Sequence, residues 1–160
     1  MAWAKNGTPL TLGSAAQDLD ITDLTAYKFN QFMIHIITDG SNTVQAECTF
    51  NNDTTTYAFR QSVNGGADGT STSDASIDLW DTSVAQDQFD IMYVCAISGE
   101  EVLVMNWFIR HGGTGATNAP ARMETVGKYD GTTQVTRIDI HDVDGTHYDT
   151  DSNISALGTD

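Results

Sequence analysis

The chain has 160 residues and a mass of 17.3 kDa, enough for one domain with a full-sized core. Charged residues make up only 18%, which disfavours a helical bundle or a coiled coil, and no apolar run approaches the length of a membrane span, which excludes a transmembrane helix. Eighteen Asp and four Glu against seven Lys plus Arg give a net charge of −15, which sets the chain against nucleic acid and anionic membrane surfaces.

In chain order, short apolar runs alternate with polar turns. Residues 27–38 (YKFNQFMIHIIT) predict the first long strand, closed by Asp39-Gly40. Residues 43–50 predict the next, with Val44, Ala46, Cys48 and Phe50 on one face and Thr43, Gln45, Glu47 and Thr49 on the other. Residues 55–62 predict a third strand, and residues 64–74, built from Gly, Ser, Thr, Asp and Ala, an open loop. A short strand is expected over 76–80. Residues 88–97 and 101–110 are apolar on both faces and are joined by Ser98-Gly99-Glu100, so they predict a central hairpin with Trp107 in the core. A second open loop over 111–120 precedes strands at 122–128 and 133–141, and a closing strand is expected near 153–157.

About eight or nine strands and no helical period predict an all-β, jelly-roll-like β-sandwich occupying 1–160 as one domain. The polar first 20 residues, with Trp3 and Pro9, are read as an arm lying on a neighbouring subunit, or as a frayed terminus. They contain no basic head followed by an apolar run, so synthesis and assembly in a cytoplasm are expected. Cys48 and Cys95 lie in apolar runs and are expected as two buried free thiols; the alternative is one disulfide in an oxidising compartment.

The chemistry-bearing constellations are weak. Asp139, Asp142, Asp144, Asp149 and Asp151, with His141 and His147 among them, contain a fragment of a calcium loop. A full loop starting at Asp142 would need Gly and Glu where His147 and Asn153 stand. A solvated acidic turn is the expectation, with a calcium site of another type as the alternative. No spacing supports zinc, no nucleophile elbow exists, and neither Gly65-Gly66 nor Gly112-Gly113-x-Gly115 leads into a phosphate-binding helix. No catalytic, cofactor or metal residue is assigned, and a binding or structural module is expected rather than an enzyme. Trp3, Trp80, Trp107 and Tyr129 are the aromatic candidates for stacking on a sugar.

Several stretches resemble small virion proteins of tailed viruses. They are Tyr57-Ala58-Phe59-Arg60 with Ser62-x-Asn64-Gly65-Gly66-Ala67-Asp68-x-Thr70-Ser71-Thr72-Ser73, then Asn118-Ala119-Pro120-x-Arg122-x-Glu124-Thr125-Val126-Gly127-Lys128. Gln134-Val135-Thr136-Arg137-Ile138-Asp139-Ile140 and Leu157-Gly158 complete the likeness, which runs from about Leu12 onward. The resemblance implies a jelly-roll-like virion component with no enzymatic activity, no cofactor and a variable acidic hairpin after Ile140. A decoration or cement protein on the outer capsid is the leading expectation. Its partners would be the major capsid protein or other virion proteins, and it would itself be a homo-oligomer, with a trimer as the expected form. The rival is a receptor- or carbohydrate-binding module of a tail or head fibre, using loops 64–74 and 111–120.

Overall fold

Alternation along most of the longer strands leaves each of them one face to bury, and two sheets that bury those faces against each other form the molecule. The computed structural model describes residues 2–80, 85–113 and 115–160. The large sheet runs, in spatial order, β1 (Ala4–Lys5), β13 (Asn153–Thr159), β4 (Phe29–Ile36), β9 (Gln88–Cys95), β10 (Val102–Arg110), β11 (Ala121–Tyr129), β6 (Tyr57–Val63) and β7 (Gly69–Asp74). A two-residue strand, β2 (Leu10–Thr11), also pairs with β13. The small sheet is β3 (Asp18–Ile21), β12 (Ile138–Asp142), β5 (Ala46–Phe50) and β8 (Ile77–Asp78).

The all-β sandwich expected from the sequence is therefore the fold, with no helix among the described residues. Neighbouring strands are antiparallel throughout. Jelly-roll-like alternation between the sheets holds from β3 to β6 and from β12 to β13, and gives way to a meander at β9–β10–β11. Phe32, Ile34, Ile36, Met92, Val94 and Val104 of the large sheet meet Leu19, Ile21, Cys48, Phe50, Ile138 and Ile140 of the small one in a single core. Tyr57 and Tyr129 stack at 4.8 Å beside Phe50, and the Tyr129 hydroxyl donates to Asp53 at 2.8 Å.

Four expectations need correction. The strands number 13 rather than eight or nine, because β1, β2, β3 and β7 add to the expected set; β1 and β2 have two residues each and β3 four, too short to show alternation. Residues 69–74, expected as open loop, form edge strand β7 against β6; GTSTSD carries no apolar residue, so main-chain pairing alone makes this strand. The expected strand over 133–141 starts only at Ile138.

The segment from Ala4 to Ile21 is neither an extended arm nor a frayed terminus. Ala4 and Lys5 pair with Gly158 and Leu157, Leu10 and Thr11 pair with Ile154 and Asn153, and β3 pairs with β12. Asn6 anchors this segment: its buried amide donates to Asn30 Oδ1 at 2.7 Å and to the Thr25 carbonyl at 3.1 Å, and accepts the Thr25 N–H at 2.7 Å. Gly7 follows at φ +70°, and a Cβ there would stand 2.5 Å from Ile21 Cγ2, so no other residue fits the turn.

Candidate functional site

The sandwich has two outer faces, and they differ sharply in chemistry. On the large sheet, register places Phe89 opposite Ile109, Ile91 opposite Trp107, Tyr93 opposite Met105, and Cys95 opposite Leu103. These side chains point away from the core, because Asp90, Met92, Val94, Val104, Asn106 and Phe108 take the inward positions of β9 and β10. β4 adds Phe29 and Met33, β11 adds Val126, and Trp3 closes a shallow groove with Phe29, Tyr93, Leu103 and Met105. A second depression, lined by Phe89, Ile91, Tyr93, Met105, Trp107 and Ile109, continues the same surface. Leu103 is 55% exposed, Trp107 54% and Met105 52%, so water covers about half of each.

Trp107 is thus a surface residue and not the core residue that its apolar strand suggests. The two faces of β10 are equally apolar in sequence, and the four-stranded sheet covers only one of them. Cys95 also belongs to this outer face, half-buried among Phe29 and Leu103, whereas Cys48 is fully buried between the sheets. Both thiols are free, and burial raises the Cys48 thiol well above its ordinary range. Around the apolar field stands a polar rim: Gln31 and His35 on β4, and Arg122, Glu124 and Lys128 on β11, with Lys128 Nζ 2.8 Å from Glu101.

The outer face of the small sheet is acidic. One row across it runs Asp18, His141, Glu47, Asp78, and the next runs Asp20, Asp139, Thr49. His141 Nδ1 lies 2.6 Å from Asp18, and Ser76 donates to Glu47 at 2.5 Å. Arg137 bridges Asp20, at 2.9 Å, and Asp139. Partial burial and the neighbouring Asp139 carboxylate push Asp20 up to about 6, and partial burial with Glu47 beside it pushes Asp78 up to about 6.

The acidic stretch near the end of the chain is dispersed by the fold. Asp139 joins the outer row, while Asp142 is fully buried, accepts the Gln45 and Asp144 N–H groups at 3.1 and 3.2 Å, and lies 2.9 Å from His147. Asp144 accepts from Thr43 and Gln45 at 3.0 and 2.7 Å, and Asp149 accepts the Thr150 N–H at 2.7 Å. Asp151 lies in a turn at φ +70°. Asp142 and Asp144 thus hold the 43–45 segment against the 142–144 turn, and among the described residues no group of three or more His, Cys, Asp or Glu is placed to hold a metal ion.

Loop 64–68 adjoins the start of β11 at the end of the large sheet from which loop 111–120 leaves: Arg122 N–H donates to Asn64 Oδ1 at 3.0 Å and the Asn64 N–H to the Arg122 carbonyl at 2.9 Å; Thr114 lies outside the described residues. Tyr129 is buried in the aromatic stack and Trp80 half-buried, so neither presents an open stacking face, while Trp3 and Trp107 do. No protein-family model and no curated protein matches the chain.

The sequence marks the membership of the apolar face but not its exposure. The acidic rows as such are not legible in the sequence, because their members come from β3, β5, β8 and β12, up to 123 positions apart in sequence, as Asp18 and His141 are. The usable signal is alternation, which puts Glu47 on the face away from Cys48 in β5, and Asp139 and His141 on the face away from Ile138 and Ile140 in β12.

Proposed function

We propose that this chain is a non-catalytic assembly subunit of a virus particle, a decoration or cement protein on the outer surface of a tailed virus capsid. The observation that carries the reading is the contrast between the two outer faces: a broad apolar field suited to a protein neighbour, and acidic rows suited to solvent. The likeness to tailed-virus virion proteins in residues 57–73 and 118–128 supplies the particle as the setting. Outward acidity keeps the protein away from packaged nucleic acid, and synthesis in the host cytoplasm suits addition to a finished capsid.

A fibre-borne carbohydrate-binding module has one observation in its favour, the exposure of Trp3, Tyr93 and Trp107 on a single face. Between them stand Leu103, Met105 and Ile109, which offer no hydrogen-bonding group to sugar hydroxyls. The subunit reading accounts for the aliphatic residues as well as the aromatic ones. Particles purified from infected cells should contain the chain in fixed stoichiometry and release it without losing the capsid shell. Its absence from purified particles, or selective retention on a glycan array, would contradict the proposal.

A further inference from the structure

We infer that the apolar outer face of the large sheet is covered by a second copy of this chain, packed face to face about a two-fold axis near Met105. The inference rests on the reading of the chain as an assembly subunit and names what sits on the face. Area is the first argument. Nine side chains of the face are exposed by 37–55%, and at roughly 150–250 Å² for each large side chain they present on the order of 800 Å² of apolar surface. A stable pairwise interface takes about 800 Å² from each partner, whereas the largest apolar patch of an ordinary monomer is about 300–600 Å².

Charge is the second argument, and it selects a second copy as the occupant. Two molecules of net charge −15 repel wherever their carboxylates meet. No carboxylate points outward from β4, β9 or β10, since the sole acid in those strands, Asp90, is buried on the inner side. The field is therefore the broad part of the surface on which two copies can approach without opposing their charge. The rim carries both signs, Arg122 and Lys128 beside Glu124 and Glu101, so a two-fold rotation can set bases of one copy against acids of the other. The dimer leaves both small sheets, with their acidic rows, in solvent.

Sedimentation equilibrium in about 0.15 M salt should give a mass about twice 17.3 kDa. Trp107→Glu and Leu103→Glu, both at exposed sites outside the core, should each give a folded monomer. Cys95 supplies an independent readout, because it lies on the field while Cys48 lies in the core. A thiol reagent should label Cys95 severalfold faster in the variants than in the wild type, and faster in the wild type on dilution, with Cys48 silent until denaturation. A wild-type monomer, a trimer, a dimer that persists in both variants, or Cys95 labelling that is rapid at every concentration overturns the inference. If both variants unfold, the dilution series on the wild type decides. A monomer that nevertheless accompanies particles overturns the pairing alone, and a dimer absent from particles overturns the virion reading alone.

Discussion

A carboxyl group sealed from water holds its proton long after an exposed one has lost it, and Asp90 is such a group. It is fully buried on β9, accepting from Asn106 at 2.7 Å and from Gln88 at 3.3 Å, and burial pushes it up to about 7 despite those two donors. The unfolded chain ionises Asp90 near 4, so its effect on stability is nil below pH 4, becomes unfavourable between pH 4 and 7, and is constant above. A rise from 3.8 to about 7 corresponds to about 4 kcal/mol at pH 8. Asp20 and Asp78 act in the same direction. Asp90→Asn should therefore stabilise the protein by about 2–4 kcal/mol at pH 8 and change little at pH 4. Denaturant melts across that range check it; a variant whose stability follows pH in parallel with the wild type would contradict it. Trp107 teaches the complementary lesson, that an apolar side chain in an apolar strand does not by itself mark a core position.

Among the elements, β1 and β2 are too short to hold themselves, and their attachment depends on Asn6. Removing its amide leaves the Thr25 N–H and Asn30 Oδ1 without their shared partner inside the protein. Asn6→Ala should cost about 2–3 kcal/mol and lower the melting temperature by roughly 5–10 °C. Amide exchange should accelerate at Ala4, Lys5 and Asn6 and remain slow in β9 and β10; unchanged exchange in β1 would contradict the anchor. In sequence, Asn6-Gly7-Thr8 is a polar triplet in a polar segment, so nothing local distinguishes an anchor from a free arm. The strands β4, β5, β9, β10, β11 and β13 are legible because each carries its own alternation or its own apolar run. The edge strand β7 is illegible because its pairing is carried by the backbone. For the same reason the acidic rows escape a linear reading: a row across a sheet is perpendicular to the chain that makes it.

For the whole molecule, charge is divided between the two sheets. Five of the seven Lys and Arg lie in strands of the large sheet (Lys5, Arg60, Arg110, Arg122, Lys128), against the acids Asp74, Asp90 and Glu124. The strands of the small sheet hold six acids (Asp18, Asp20, Glu47, Asp78, Asp139, Asp142) and no Lys or Arg. Repulsion is therefore concentrated on one face, and salt should raise the melting temperature, with most of the gain reached near 0.1–0.15 M, where the Debye length is about 8–10 Å. A melting temperature indifferent to salt would contradict that division. Gel shifts should show no DNA binding at any ionic strength, since the basic residues of the large sheet are spread over four strands and offer no cluster for phosphates.

Under the proposed function the apolar face is a subunit contact in a particle while the acidic face meets solvent. A cryo-electron microscopy map of the intact particle decides whether it is. The map should show this sandwich on the capsid exterior, with β9 and β10 against a protein neighbour and the rows of Asp18 and Asp20 outward; a bare β9–β10 face, or acidic rows buried against the shell, would contradict the proposal.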